Sequence, residues 1–182
     1  MSDQGGQATE HGTDNSQDSH DSHNATDALV EEFGTHVGRA MGWPRMAGRA
    51  AGLLMLSDKP LTLAQLQEAL DASKGSASEM TRLLIANGTV ERYKEAGARH
   101  FVYRWRDDAW VGCLRHIVAA TTELRELAAH AQDRGADRSA NMSEEQRGRL
   151  RDMHDYYRFM VGHLESMLAE YTATWTASKD RP

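Results

Sequence analysis

A short segment near the middle of the chain carries hydroxyl and cationic side chains at close spacing. It begins Ser73-Lys74-Gly75-Ser76-Ala77-Ser78, and Thr81 and Arg82 follow within the next turn. Hydroxyl, lysine and arginine groups hydrogen-bond to base edges and phosphates in the major groove of DNA, and a glycine allows close backbone approach. The segment is therefore a candidate DNA-contact surface. Its candidate contact residues are Ser73, Lys74, Gly75, Ser76, Ser78, Thr81 and Arg82.

The spacing of apolar residues places this segment on an amphipathic helix. Ala77, Met80 and Leu84 recur at steps of three and four and form an inward stripe. Ser73 is a natural N-cap because its hydroxyl can accept from a backbone N–H of the first turn. Asn87-Gly88 is a typical helix end. The polar residues thus fall on the opposite, outward face.

A shorter amphipathic helix over Leu61–Leu70 precedes this one, with a tight break at Asp71-Ala72. Two strands are predicted after it, Val90–Lys94 and His100–Trp105, joined by a hairpin tip at 96–99 that ends in Arg99. Helix, turn, helix and hairpin together make a winged helix-turn-helix. Arg99 at the wing tip is a further candidate DNA contact.

The second wing strand alternates aromatic residues, Phe101, Tyr103 and Trp105, with His100, Val102 and Arg104. Aromatic and basic residues in alternation also occur in proteins that stack single-stranded bases. The clean period of two instead favours aromatic residues packed inward against the helices, with the basic residues on the opposite face.

Two further helices are predicted before the winged helix. Asp27–Met41 has an apolar side, and the break at Trp43-Pro44 leads into a second helix that ends near Leu56. That helix contains small residues that let another helix approach closely: Ala47, Gly48, Ala51 and Gly52. Arg45 and Arg49, one turn apart, either reach a phosphate backbone or form a solvated face.

Long helices are predicted from Asp107 onward, one to about Arg134 and a last one opened by a capping box at Ser143–Gln146. Seven apolar residues of the last helix follow alternating steps of three and four, as in a coiled coil. They are Leu150, Met153, Tyr157, Met160, Leu164, Met167 and Tyr171. Four others lie outside this seam: Tyr156, Val161, Leu168 and Trp175. The excess apolar surface predicts a homodimer, with the N-terminal helix contributing.

Composition limits the class of protein. The net charge is −6, but residues 44–106 hold ten Lys or Arg against six acids, a net of +4, so positive charge is concentrated on the winged-helix segment. Residues 1–25 hold five acids, no Lys or Arg, and no Leu, Ile, Val or aromatic residue, which predicts a disordered tail. No long apolar run predicts a transmembrane helix, and no charged-then-apolar N-terminus suggests a signal peptide. The single Cys113 fits a reducing cytoplasm.

Other chemistry has weaker support in the sequence. Cys113 and His116, three residues apart, could form a nucleophile–base pair or a redox-sensitive thiol, but a lone cysteine among apolar residues is more often a small buried hydrophobe. His11, His20 and His23 in the tail lack the preorganised spacing of a metal site. We therefore expect no enzymatic activity, no metal and no cofactor.

The stretch from about Phe33 to Trp110 resembles the MarR superfamily, in particular its GbsR-like branch, and the layout is similar to actinobacterial efflux repressors of that superfamily. The resemblance is carried by Gly42–Arg49, Leu53–Ser57, Ser73–Ser78 and Gly97–Arg99. One departure is Ala98, where the superfamily commonly has an acid that helps hold the wing arginine. The resemblance implies a homodimer on a palindromic double-stranded operator, and a small lipophilic effector bound between the winged helix and the dimer helices. Residues that could line an effector pocket are Trp110, Met153, Tyr157 and Met160.

These patterns predict a mainly α (α+β) fold, a winged helix-turn-helix with a two-stranded wing plus long N- and C-terminal dimerisation helices. The predicted divisions are a tail at 1–25, an N-terminal helix at 26–43, a DNA-binding domain at 44–106 and a dimerisation region at 107–182. The predicted function is a homodimeric, sequence-specific DNA-binding transcriptional regulator, and the resemblance implies that it is a ligand-responsive repressor of efflux or membrane-stress genes. The alternative is a winged-helix module that binds a partner protein and reads no DNA sequence.

Overall fold

The computed structural model describes the backbone of residues 15–136 and 142–179, and the side chains of residues 25–135 and 142–179. The chain divides into two compact units, one up to Asp58 and the other from Lys59 onward. Within the described residues, no helix combines the length and the apolar character that a membrane crossing needs.

The first unit consists of helix α1, Asn15–Met41, and helix α2, Arg45–Met55. Glycines let the two helices pack closely: a Cβ built on Gly48 would lie 2.5 Å from the Phe33 carbonyl oxygen, and one on Gly52 would lie 2.8 Å from the Phe33 Cβ. The prediction that the small residues of α2 admit another helix is confirmed, and that helix is α1. The two helices fall on either side of the division predicted at residue 44.

Helix α1 begins twelve residues earlier than the Asp27 start predicted for it, so residues 15–25 of the predicted tail are helical. Residues 1–14, which include His11, lie outside the described residues. Hydrophobic periodicity could not reveal this extension because residues 15–24 contain no apolar residue to mark a helix face.

The second unit begins with strand β1, Leu61–Thr62, and continues through α3, Leu63–Leu70, and α4, Lys74–Ala86. Strands β2, Val90–Tyr93, and β3, Val102–Trp105, form the wing. The long helices are α5, Ala109–Ala136, and α6, Glu144–Lys179. The winged helix-turn-helix flanked by long helices is confirmed.

Within the part of the chain that the structure describes, the sheet has three strands in the order β1-β3-β2, all antiparallel, rather than the two that the sequence predicted. Leu61 pairs with Tyr103 and Thr62 with Val102. The sequence assigned Leu61 and Thr62 to a helix, but Thr62 instead caps it. Its Oγ1 accepts from the Gln65 backbone N–H at 3.3 Å, while the Gln65 side chain accepts from the Thr62 N–H at 2.8 Å.

The winged-helix core is formed by side chains from α3, α4 and the wing: Leu66, Leu70, Ala77, Met80, Leu84, Val90, Val102 and Tyr103. Asp71, in the left-handed conformation, ends α3, and the predicted break there is confirmed. Helices α5 and α6 form an antiparallel hairpin, in which the Arg147 Nε donates to the Gly135 carbonyl at 2.8 Å. The predicted capping box of α6 is confirmed, since the Ser143 Oγ accepts from the Gln146 N–H at 3.2 Å and the Gln146 side chain accepts from the Ser143 N–H at 2.7 Å.

The predicted α6 seam differs from the face that is buried. Val161, predicted to lie outside the seam, is only 2% exposed, whereas Met167, predicted inside it, is 52% exposed. The residues shared by both patterns, Tyr157, Leu164 and Tyr171, are half-buried. The face covered by α5 is therefore rotated slightly around α6 from the predicted seam.

Candidate nucleic-acid interface

The recognition-helix candidate α4 is fixed at both ends by the caps that the sequence predicted. The Ser73 Oγ accepts from the Ser76 backbone N–H at 3.2 Å, so Ser73 is the N-cap and its side chain is used to start the helix. At the other end Asn87 is the C-cap and Gly88 has φ +79°. The two caps determine which residues α4 presents outward.

The outward face of α4 carries exposed Lys74, Gly75 and Arg82, with half-buried Ser76 and Ser78 between them. The Arg82 Nε donates to the Ser78 carbonyl at 3.2 Å, which holds the guanidinium along the helix. Within the described part of the chain, neither Lys74 nor Arg82 forms an ion pair. This face therefore presents cationic side chains beside small hydroxyls, together with exposed Glu79, which forms no ion pair in the described residues.

Thr81, a predicted DNA contact, does not belong to this face, so the prediction that its side chain points outward is wrong. Its side chain is 2% exposed, and its Oγ1 donates to the Ala77 carbonyl at 2.9 Å. The hydroxyl is thereby satisfied within the helix, which allows threonine to pack as a core residue. Sequence patterning counted Thr81 as polar and placed it outside.

Gly75 is exposed in the first turn of α4. A Cβ built there would meet only the Ser73 Oγ, at 3.8 Å, which is ordinary van der Waals contact. The protein fold therefore does not require glycine at this position. The open surface is compatible with a ligand that approaches the backbone.

The wing tip is a tight turn in which the Ala98 N–H donates to the Glu95 carbonyl at 3.0 Å and Gly97 has φ +79°. Arg99 follows this turn and is exposed. Among the side chains that the structure describes, none forms an ion pair with Arg99. That agrees with alanine at position 98, where an acid would be placed to hold the arginine.

The wing has two further cations that the sequence analysis did not select, Arg92 and Lys94, and they surround Phe101. The Arg92 Cζ lies 4.1 Å and the Lys94 Nζ 5.1 Å from the ring centroid.

Phe101 is 43% exposed, so the prediction that it packs inward is wrong, whereas Tyr103 is buried as predicted. Val102 is also buried, and strand β3 therefore lacks the clean alternation that the sequence suggested. The cross-strand register could have identified this cluster. Arg92 pairs with Tyr103, and Phe101, two residues from Tyr103, lies on the same face of the wing.

Arg45 and Arg49 in the first unit both bind Glu31 of α1. The distances are 2.6 Å from the Arg45 Nη2 and 2.6 Å from the Arg49 Nε to the carboxylate. The Arg49 side chain is 20% exposed and that of Arg45 is 65% exposed. Arg45 thus remains accessible to a phosphate, while Arg49 mainly joins α2 to α1.

Ion pairs connect the base of the wing to α5. Asp108 binds the Arg106 Nε at 2.8 Å and the Arg115 Nη1 at 3.3 Å. Partial burial raises the pKa of Asp108, but hydrogen bonds and charge from Arg106 and Arg115 outweigh burial and hold that pKa below its usual range. On the wing itself, the hydrogen bond to Glu91 and its charge raise the pKa of Arg104.

Two glycines bring the end of α4 directly against α5. A Cβ built on Gly112 would lie 2.0 Å from the Gly88 carbonyl oxygen, and one on Gly88 would lie 2.7 Å from that of Gly112. Neither position leaves room for any other residue. The turn after α4 is thus held against the long helix α5 without intervening side chains.

The predicted effector pocket does not assemble as one site within the chain. Trp110 is near the start of α5, roughly 38 Å along the helix from Gly135, whereas Met153 is roughly 9 Å along α6 from Arg147. Because Arg147 contacts Gly135, these residues lie toward opposite ends of the hairpin. Trp110, 53% exposed, instead packs edge-on against Trp105 at 5.7 Å. Met153, Tyr157 and Met160 remain together on successive turns of α6.

Cys113 shows no sign of activation. Burial raises the pKa of its thiol, which disfavours the reactive thiolate. His116, its proposed partner, is exposed. The thiol therefore fits a small packing residue better than a nucleophile.

Comparison with known proteins gives consistent matches. A family model described as MmpR5-like MarR family transcriptional regulator matches residues 108–174, which span α5 and most of α6. The HTH-type transcriptional regulator MmpR5 of Mycobacterium tuberculosis is 31% identical over 145 residues, 79% of this chain and 85% of that protein. The HTH-type transcriptional repressor OpcR of Bacillus subtilis is 31% identical over 100 residues, 55% of this chain and 54% of that protein.

A solved structure, described as the crystal structure of a transcriptional regulator, has a TM-score of 0.71 and 30% sequence identity. The match covers 82% of this chain and 99% of that one. These relatives are named as transcriptional regulators and not as enzymes, in agreement with the prediction from sequence.

Proposed function

This chain belongs to the MarR family of transcriptional regulators, and from that premise we propose that it is a homodimeric repressor that reads a palindromic DNA operator. Membership of this family establishes that the chain is a DNA-binding transcriptional regulator. The dimer, the operator, the effector and the contact residues are the parts proposed.

The observation that carries the proposal is the outward face of α4. Lys74 and Arg82 are exposed there, without an ion pair in the described residues, on a helix whose other face is anchored in the core. An unneutralised cation on a rigid helix is suited to a phosphate, and small hydroxyls between two cations are suited to base edges. Ser76 and Ser78 would read bases, while Lys74, Arg82 and the wing Arg99 would contact phosphates.

Dimerisation is supported by apolar side chains that the single chain leaves exposed on its long helices. On α6, Tyr156, Phe159 and Met167 are each more than half exposed and recur at helical spacing on one stripe. Beside them Gly162 leaves a groove of about 360 Å³ lined also by Phe159 and His163. Leu124 and Leu127 of α5 and Leu29 of α1 are also exposed. A second copy would bury such a stripe, and a two-fold dimer would present two recognition helices to one face of DNA.

Repression and an effector rest on relatives and on residue chemistry. OpcR, which shares 31% identity with this chain over 100 residues, is named a repressor. Met153, Tyr157 and Met160 offer soft, adaptable apolar surface on α6, suited to a small lipophilic molecule. Efflux or membrane-stress genes are the proposed targets by family resemblance.

Titration of DNA with recognition-helix variants tests the proposal. Ser76→Ala should relax preference at particular base pairs, by about 1–3 kcal/mol for a good contact. Arg82→Ala should weaken binding to all sequences alike and flatten the salt slope by about one unit for each phosphate that the arginine neutralises. The matched controls are Ser178→Ala and Arg149→Ala, exposed residues of α6 away from α4. Equal effects from variants and controls would exclude α4 as the recognition helix.

A further inference from the structure

The face of the wing that carries Phe101 gathers two cations around one aromatic ring. Arg92 is paired with Tyr103, and Lys94 and Phe101 directly follow and precede the last paired residues of their strands, Tyr93 and Val102. The charged ends of Arg92 and Lys94 lie 4.1 Å and 5.1 Å from the ring centroid. Both distances are within the range of a favourable cation–π contact.

No carboxylate neutralises this pair of cations among the side chains that the structure describes. The nearest acid along β2, Glu91, is opposite Arg104 and bonded to it, with the Arg104 Nε 3.0 Å from the carboxylate. Since side chains alternate along a strand, Glu91 and Arg104 lie on the other face of the wing from Arg92 and Lys94. Glu95 follows Lys94 in the hairpin loop and is exposed, but among the described side chains it forms no ion pair with either cation. Two like charges held together without an ion-paired acid make a surface suited to an anion.

This cluster is continuous with the wing tip. A groove of about 320 Å³ runs between the start of α3 and the wing, and its lining includes Lys94, Arg99, His100 and Phe101. Arg99 of the tip and Lys94 of the cluster therefore share one groove. An extended polyanion that meets Arg99 can meet the cluster next to it.

We propose that Arg92 and Lys94 are phosphate contacts for double-stranded DNA and that Phe101 is the positioning residue that holds both cations in place. The inference deepens the proposed function and rests on it, because the anion is the backbone of the same operator. Phe101 itself reads no base. Its exposed ring orders two flexible side chains before DNA arrives, which reduces the conformational entropy lost on binding.

The test uses full-length protein and a DNA fragment that the wild-type protein retains, titrated at several salt concentrations. Arg92→Ala and Lys94→Ala should each flatten the salt slope by about one unit for each phosphate neutralised per subunit. Arg104→Ala is the matched control, a wing arginine bonded to Glu91, and should leave the slope unchanged. Unchanged slopes for both Arg92→Ala and Lys94→Ala would overturn the proposal.

The role of Phe101 is separated from simple packing by two substitutions. Phe101→Leu removes the aromatic face and should weaken binding about three- to tenfold for all sequences, while Phe101→Tyr retains the face and should bind as wild type. In a background that already lacks Arg92 and Lys94, Phe101→Leu should cause no further loss of affinity. A loss of the same size in both backgrounds would show a structural role and contradict the positioning role.

The outcomes distinguish a failure of this inference from a failure of the proposed function on which it rests. If wild-type protein retains DNA and Arg82→Ala flattens the salt slope while the Arg92 and Lys94 variants do not, only the wing inference fails. If wild-type protein retains no DNA in preference to competitor, both fail. If Phe101→Leu folds poorly, the proposal is still tested by the salt slopes of Arg92→Ala and Lys94→Ala and by the DNA affinity of Phe101→Tyr.

Discussion

The polar residues and the glycine that the sequence selected on α4 differ in whether the fold depends on them. Ser73 is used as the helix cap and Thr81 is buried in the core, whereas Lys74, Gly75 and Arg82 are exposed. The sequence predicted the caps correctly because capping depends on neighbouring residues only. It placed Thr81 wrongly because a hydroxyl bonded to its own helix packs as an apolar group, which a polarity pattern does not register.

Gly75→Ala should separate folding from DNA binding. Alanine favours a helix over glycine by up to about 1 kcal/mol, and nothing in the fold obstructs a Cβ there. We expect thermal unfolding to shift slightly upward, while the added methyl group keeps DNA from the backbone and lowers affinity. Gly148→Ala in α6 is the matched control, with a similar gain in stability and unchanged affinity. Wild-type affinity in Gly75→Ala would show that DNA does not approach this backbone closely.

Asp108→Asn should reduce stability in a pH-dependent manner. The pKa of Asp108 is lower in the folded protein than in the unfolded chain, so its stabilising effect is complete above the unfolded pKa of about 3.9 and is lost as pH falls through the folded pKa. We expect a loss of about 1 kcal/mol at pH 7, shrinking below about pH 4.

Denaturant unfolding at pH 7 and pH 3 measures the effect of Asp108→Asn. Asp107→Asn, the exposed neighbour, is the control and should be close to neutral at both pH values. An equal loss of stability for Asp108→Asn at the two pH values would contradict the ion-pair role of Asp108.

At the scale of elements, the contact between Gly88 and Gly112 joins the end of α4 to the long helix α5. The sequence identified Gly88 as part of a helix end but gave no sign of Gly112, because the contact joins residues far apart in the chain. The α6 seam illustrates a different limit. Two alternative sets of positions flank the shared positions Tyr157 and Leu164. One consists of residues 153, 160 and 167, and the other of residues 154, 161 and 168. Periodicity alone does not select between the two sets.

Gly112→Ala should force α4 and α5 apart. The new methyl group would overlap the Gly88 carbonyl, and overpacking of this kind typically costs about 1–3 kcal/mol. DNA affinity should fall as well, because the separation displaces the end of α4. Thermal unfolding and operator titration of the same sample measure the two effects. Gly148→Ala again serves as control, and wild-type behaviour of Gly112→Ala in both measurements would show that the contact is not rigid.

At the scale of the whole molecule, the winged helix and the long helices were predictable because each depends on local periodicity and caps. Of the exposed apolar stripe of α6, the sequence placed only Tyr156 outside the predicted seam. Phe159 was not selected and Met167 was placed inside the seam, because the position of the stripe depends on which face α5 covers. The predicted dimer now has a defined candidate surface at Tyr156, Phe159 and Met167.

Phe159→Glu should convert the proposed dimer to a monomer without unfolding the chain. Phe159 is 60% exposed in the single chain, so a charge there disturbs no core, but it would be buried without a partner between two copies. Light scattering at micromolar concentration measures the mass. Arg149→Glu, an exposed change on the same helix, should remain a dimer. A monomeric wild-type protein would contradict the proposed assembly.

The central claim is that α4 reads a specific sequence of double-stranded DNA. Selection of bound fragments from genomic DNA of the source organism by the purified protein tests it most directly, with a Ser76→Ala/Ser78→Ala double variant in parallel. We expect the wild-type protein to enrich an inverted repeat whose half-sites lie about one helical turn apart, and the variant to keep binding DNA with relaxed preference at particular base pairs. Enrichment of no shared sequence by the wild-type protein, or of the same sequence with equal strength by the variant, would contradict the claim.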